Sequence, residues 1–326
     1  MKKILITGSS GFIGTNLMDR LITEKSYSIL GIDINTPKIK CHNSFMKLVD
    51  ITDEIKLKKV LEGFNPNFII HLAARTDLNG ESLLEYSANT IGVEVLLNVV
   101  RGLENIERVI FTSSMYVCVP GYIPKNTDDY KPHTIYGESK VITEKLIKNF
   151  DKKYSWSIVR PTSIWGPWFS EPYKNFFDVI LSNRYFHMGP KACVKTYGFI
   201  DNVLDQILSL LVCSSSQLDE ETLYLGDKTP YDISIWADEI SLLSGKKIIT
   251  IPFVIFRLAA LFGDFLNFCN ISFLMTSFRL KNMTTNNVYE LSKIHNISGE
   301  DKVLRKDGVK STLHWMLNKN DKYEAR

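Results

Sequence analysis

TGSSGFIG, Thr7 to Gly14, lies between a short apolar run, KILIT (Lys3–Thr7), and a segment with apolar residues at helical spacing, GFIGTNLMDRLITEK (Gly11–Lys25). Gly8, Gly11 and Gly14 allow a tight turn and a close backbone approach to a pyrophosphate, which then sits on the N-terminus of the following helix. The spacing is GxxGxxG rather than GxGxxG. A lone triplet is weak, so the strand–turn–helix context carries the reading. Phe12 and Ile13 are counted with this turn as candidate cofactor contacts.

Outward from that turn, short β-branched runs alternate with longer helical patterns. YSILGIDI, NSFMKLVDI, NFIIHLAA, RVIFTSS and WSIVRPTSI read as strands. DEIKLKKVLEGF, LLEYSANTIGVEVLLNVVRGL and ESKVITEKLIKNFDKKY read as helices. This alternation predicts an α/β fold with a doubly wound parallel sheet of Rossmann type, covered on both faces. After about residue 165 the rhythm changes at IWGPWFSEPYKNFF, rich in aromatics, Pro and Gly. The expected organisation is a nucleotide-binding domain over residues 1–165, with some later segments returning to it, and a smaller substrate-binding lobe made mainly of residues 166–326.

Composition narrows the class. The net charge of +3 comes from 39 basic and 36 acidic residues, scattered rather than striped, so no nucleic-acid partner is expected. Cys41, Cys118, Cys193, Cys213 and Cys269 show no CxxC spacing. They fit a reducing compartment, hence a cytoplasmic protein, and argue against a structural metal site or disulfide framework. MKKILITG is too short an apolar run for a signal peptide. The most apolar stretch, Ile248–Met275, is interrupted by Pro252, Arg257 and Asp264. It is expected to form a buried or half-buried helix without stable membrane insertion, contact with a membrane surface being the minor alternative. The polar tail NKNDKYEAR is expected to fray.

Candidate site residues cluster where strands end, the usual ligand position in a parallel sheet. Asp33 closes the second strand, where a carboxylate accepts hydrogen bonds from a ribose 2′-hydroxyl and repels a 2′-phosphate. It favours NAD, with NADP less favoured although Lys38 is near. Asp50 and Ile51 follow the third strand, within reach of the adenine. Leu72, Ala73 and Ala74 end the fourth, small enough for a cofactor to lie close, and Arg75 and Thr76 begin a loop over the site. The fifth strand runs into Thr112, Ser113 and Ser114. YGESK then sets Tyr136 and Lys140 one helical turn apart on one face. A tyrosine with an ordinary pKa of about 10 is a poor base, but a neighbouring ammonium and a cationic nicotinamide both favour its phenolate. It can then take a hydroxyl proton, with Ser114 orienting that hydroxyl. Lys140 can also bond the nicotinamide ribose, and Pro161 ends the sixth strand nearby.

Together these residues resemble the extended short-chain dehydrogenase/reductases, of the NAD-dependent sugar-nucleotide epimerase/dehydratase kind. The resemblance runs from Lys2 to about Trp315 through TGSSGFIG, VDITD, HLAA, TSS, YGESK and RPTSIWGP. It implies a Rossmann domain with a substrate lobe, bound NAD, a nucleotide-sugar substrate and a catalytic trio of Ser114, Tyr136 and Lys140. It also places Asn89 before a supporting helix. Ser163, Lys195 and Arg279 become substrate contacts, the last two toward the diphosphate, while Phe199 replaces the usual histidine. Two departures matter. Met115 and Tyr116 stand where dehydratases carry an Asp-Glu pair, and Tyr116 stands where C3/C5 epimerases often carry a cysteine. What the resemblance leaves is oxidoreduction at one carbon, and an epimerase acting at C4 is the reading adopted. The alternatives are a nucleotide-sugar dehydrogenase or reductase, a 3β-hydroxysteroid-dehydrogenase-like enzyme on a lipophilic alcohol, and a non-catalytic dinucleotide-binding regulator. A homodimer packed through Thr90–Gly102 and Glu138–Asn149, and a place in polysaccharide biosynthesis, are further implications.

Overall fold

The run ahead of the glycine turn forms β1 (Lys3–Thr7), with Ile4, Leu5 and Ile6 fully buried, in a computed structural model that describes residues 1–189, 193–268, 271, 273 and 275–318. The elements that follow are α1 (Phe12–Glu24), β2 (Ser28–Asp33), β3 (Met46–Leu48), α2 (Glu54–Phe64), β4 (Phe68–His71), α3 (Ile91–Arg101), β5 (Arg108–Thr112), α4 (Ile135–Asn149) and β6 (Ser155–Pro161). The C-terminal half supplies β7 (Ser163–Trp165), α5 (Tyr173–Leu181), β8 (Phe186–His187), β9 (Val194–Lys195), β10 (Tyr197–Phe199), α6 (Ile200–Val212) and α7 (Ser215–Leu218). After these come β11 (Glu221–Leu225), β12 (Tyr231–Asp232), α8 (Ile233–Ser244), β13 (Ile249–Thr250), α9 (Phe253–Phe268), α10 (Ser277–Thr284), α11 (Ser292–Ser298) and α12 (Arg305–Leu317).

Seven strands form one parallel sheet in the order β11-β6-β5-β4-β1-β2-β3. Alternate side chains leave a strand on opposite faces. Ile4 and Ile6 accordingly join a core with Leu17, Leu21, Val203 and Ile207 of α1 and α6. Leu5, between them, joins a second core with Leu57, Leu96 and Val100 of α2 and α3. Burial on both faces is why the strands read as continuous apolar runs. The strand order reverses between β1 and β4, and a crevice opens outside their carboxyl ends. β11 comes from the second half of the chain yet pairs with β6 over five residues, Glu221↔Ser157 to Leu225↔Pro161.

Three expectations are corrected. The single helix read from Leu83 is a 3-10 helix, Leu83–Asn89, followed by α3. The break falls where Asn89, fully buried, bonds the Arg75 backbone at both its N–H and its C=O. The third strand shrinks to Met46–Leu48, because Lys40–Phe45 coils into a 3-10 helix. Among its described residues the apolar stretch is helical only over Phe253–Phe268, and this helix is half-buried rather than buried: Ala260 and Gly263 are buried, Phe253, Phe256 and Leu266 are half-buried, and the helix's other large apolar side chains are exposed. No helix among the described residues is long and apolar enough to cross a membrane. Within that stretch Cys269, Asn270, Ser272 and Leu274 lie outside the described residues, as does most of the polar tail, 319–326.

Candidate active site

The glycine turn is shaped by close backbone approach. Gly8 has φ +72°, and a Cβ there would stand 2.6 Å from the Ala73 nitrogen at the end of β4. A Cβ on Gly14 would stand 2.8 Å from the Ser9 Cα. Gly11 caps α1 with no side-chain hydrogen bond, so the first N–H groups of the helix have no side chain closing them off. At the end of β2, Asp33 accepts from the Ser10 N–H at 2.9 Å and the Asn35 N–H at 2.8 Å. Lys38 donates to the Trp168 carbonyl at 3.4 Å, and its ammonium still feels the Asp33 carboxylate.

Turn and strand ends together line a cavity of about 680 Å³. Gly8, Gly11, Phe12, Ile13, Gly14, Asp33, Asp50, Ile51 and the run Leu72–Thr76 form one side of it. Ser114, Tyr136, Lys140 and Pro161 form the other. A dinucleotide fits this arrangement: a glycine-rich floor at the helix N-terminus, a carboxylate at the end of β2, and small residues at the end of β4. Four of the expected residues do not line the cavity. Asn89 works from behind, joining the Arg75 backbone to the Ser139 hydroxyl, to which it donates at 2.9 Å. Ser163 bonds the buried Tyr173 hydroxyl. The Lys195 ammonium donates to the Asn282 carbonyl at 2.9 Å, and Arg279 is an exposed residue of α10.

Thr134 caps α4, its hydroxyl accepting from the Gly137 N–H at 3.0 Å, and this sets the first turn. Tyr136 and Lys140 then face inward together, 6% and 3% exposed. The Lys140 ammonium donates to the Thr112 carbonyl at 2.9 Å. Burial lowers its pKa to about 8, so it still carries its proton at neutral pH. The Tyr136 hydroxyl is hydrogen-bonded to Ser114. Burial pushes the phenol up to about 12, with the Ser114 bond pulling the other way. Desolvation therefore sets the direction, and the lowering expected from Lys140 is not found in the folded chain.

The neighbouring serine has a different task. The Ser113 hydroxyl donates to Glu144 at 2.6 Å, and Glu144 is fully buried one turn beyond Lys140. Its carboxylate also accepts from Arg160, at 2.8 and 2.7 Å, and from the Tyr130 hydroxyl at 2.9 Å. This network ties α4 to β5 and β6 and leaves Ser114 as the serine that faces Tyr136.

The sequence gives little sign of the aromatic wall around Tyr136. The rings of Tyr86 and Tyr116 lie 6.1 and 6.2 Å from it, and Phe169–Tyr173 closes one side of the cavity. The density of aromatics in GPWFSEPYKNFF was the available signal. His71, at the end of β4, bonds the Thr7 hydroxyl at 2.7 Å. Burial, with the nearby Lys140 charge, lowers its pKa to about 3. Cys118 is a buried filler whose thiol burial pushes up.

Residues 4–185 match the NAD dependent epimerase/dehydratase family, and the chain belongs to that family. Among curated proteins it is 24% identical to the N-acetyl-alpha-D-glucosaminyl-diphospho-ditrans,octacis-undecaprenol 4-epimerase of Escherichia coli O157:H7, over 96% of this chain and 94% of that protein. It is 30% identical to the GDP-6-deoxy-D-talose 4-dehydrogenase of Aggregatibacter actinomycetemcomitans, over 71% of this chain and 76% of that one. Its fold is similar to that of the UDP-glucuronic acid 4-epimerase of Bacillus cereus, crystallised with NAD, with a TM-score of 0.75 at 20% identity and 98% of each chain covered.

Proposed function

We propose that the protein is an NAD-dependent epimerase that inverts C4 of a hexose carried on a diphosphate, a nucleotide sugar in the first instance. The carrying observation is the Tyr136 hydroxyl, bonded to Ser114 and one turn from Lys140, at the wall of the cavity whose floor is the glycine turn. NAD, held by the glycine turn, Asp33 and the Leu72–Ala74 run, would supply reversible hydride transfer to and from C4. A cationic nicotinamide beside Tyr136 would favour its phenolate, which can take the hydroxyl proton and return it in the reduction. Ser114 orients that oxygen and stabilises the charge developing on it. Lys140, one turn along α4 and held by the Thr112 carbonyl, lines the same cavity and would bond the cofactor ribose. Tyr116 and Tyr173 line the cavity, with Tyr86 packed behind Tyr136, and would exclude water while the ketone is present.

Met115 and Tyr116 offer no carboxylate or thiol next to Ser114, which supports simple oxidoreduction over dehydration. Asp33, aimed by two backbone N–H groups, supports NAD over NADP. A lipid-diphosphate carrier in place of the nucleotide is the second reading, supported by the relative named for an undecaprenol-linked sugar, which this chain matches over 96% of its length. A homodimer belongs to the same proposal. Leu96, Leu97 and Val100 are spent on the core of one chain, whereas Ile142 and Leu146 line a shallow depression on α4, open to a second copy.

The test is incubation of the purified protein with UDP-glucose, UDP-N-acetylglucosamine, UDP-glucuronic acid and polyprenyl-diphospho-N-acetylglucosamine, followed by proton NMR of the sugar. Interconversion of gluco and galacto forms without net accumulation of NADH is expected. Tyr136→Phe should lower the rate about 10²- to 10⁴-fold. Recovery of every substrate unchanged overturns the epimerase, and stoichiometric NADH formation replaces it with a dehydrogenase.

A further inference from the structure

α9 presents an outward face that the proposed chemistry does not use. The helix turns its small residues inward. Ala260 and Gly263 are buried, and at Gly263 a side chain would collide with the Met275 backbone oxygen. The Asp264 carboxylate accepts from the Ser277 N–H at 3.0 Å and holds α10 against α9. Val254, Leu258, Leu261, Phe265 and Phe268 follow one another at helical spacing down the opposite side, each at least 61% exposed. A continuous apolar face of this kind marks a place of interaction.

Charge says with what. Residues 246–284 carry five basic residues and one acidic residue, a net +4 against +3 for the entire chain, so the remainder is slightly acidic. Lys247, Arg257, Arg279 and Lys281 are exposed along this segment. A second copy of the chain would bring like charges together. A bilayer with anionic headgroups accepts both features, the stripe at the acyl boundary and the cations at the phosphates. The helix has 16 residues, about 24 Å at 1.5 Å per residue, which suits lying in the interface rather than crossing it.

We propose that α9 and α10 form a membrane dock that lies in the headgroup region of an anionic bilayer, with the Val254–Phe268 stripe toward the acyl chains. The dock is joined to the substrate side of the molecule. β13, just before α9, pairs with β8, which follows α5, and the first residue of α5, Tyr173, lines the cavity. Lys195 donates to the last turn of α10 through the Asn282 carbonyl. A sugar diphosphate on a lipid would reach the protein from this side. The dock itself rests on the exposed face and the charge, and it stands whether or not the protein is an epimerase.

Co-sedimentation of the full chain with vesicles tests it. Binding to vesicles of phosphatidylethanolamine and phosphatidylglycerol is expected, falling with added salt, with far less binding to phosphatidylcholine alone. The double substitution Leu258→Ser/Phe265→Ser should weaken partition at least about tenfold. Arg257→Glu should weaken it about fivefold or more. All three positions are exposed, so melting temperature and dinucleotide binding should stay unchanged. Tyr136→Phe should bind vesicles like the unaltered protein, which separates this inference from the proposed chemistry. Protein that stays in the supernatant with both vesicle types overturns the dock. So does an apolar face found, by light scattering of Leu258→Ser/Phe265→Ser, to hold two copies together in place of lipid.

Discussion

At the scale of single residues, His71 carries a measurable pH signature. Its folded pKa is about 3, from burial and the Lys140 charge, against an ordinary 6.5. Between those values the unfolded chain binds the proton and the native chain does not, so stability falls as pH drops below 6.5. From pH 6.5 to 5 this one group should cost roughly 1 to 2 kcal/mol. Urea melts across that range should show His71→Gln with a flatter slope, and an unchanged slope would remove the assignment. Residues whose role is set by immediate neighbours were legible in the sequence: the glycines need only the turn, and Tyr136 and Lys140 need only a helix. Ser113 and Ser114 look alike in TSS. What separates them is Glu144, 31 residues on, whose carboxylate takes the first and leaves the second facing the phenol.

At the scale of elements, α4 is the part that must not shift, and a buried ion pair fixes it. Arg160 of β6 and Glu144 of α4 are 1% and 0% exposed. Removing one partner strands the other charge in a dry interior. Glu144→Ala should therefore lower unfolding free energy by about 3 to 5 kcal/mol, whereas Glu144→Leu combined with Arg160→Met should recover much of that loss. Chemical denaturation of both variants decides it: a loss under about 1 kcal/mol for Glu144→Ala would show that the pair is not the tie. Strand and helix order were legible because burial on both sheet faces writes itself as apolar runs separated by amphipathic segments. The break before α3 was not, since it depends on Asn89 reaching the Arg75 backbone across a loop. Nor was the exposure of α9, because hydrophobicity alone predicts an inward face, and only packing shows that Ala260 and Gly263 took that role.

At the scale of the whole molecule, the two halves share one sheet. β6 has β5 on one side and β11 on the other, while α6 covers β1 and β5 and is tied to α1 by the Arg20–Asp205 ion pair. A fragment ending at residue 185, the limit of the family match, keeps the glycine turn, Ser114, Tyr136 and Lys140 but leaves the β6 edge and the α1 face bare. It should be recovered as aggregate, or as a state with no cooperative thermal transition by calorimetry. A soluble, cooperatively melting fragment would show the first half to be self-sufficient. Residue-level motifs could not show this, because the partner of β6 lies about sixty residues later in a segment without any motif.

That shared sheet also sets a timetable for biogenesis. A ribosome delivers the chain from its N-terminus, so every residue of the proposed catalytic trio emerges well before the strand that closes the sheet beside it. The growing polypeptide carries an unsealed β edge until residue 225 has left the exit tunnel, and during that interval it is a natural client for chaperones.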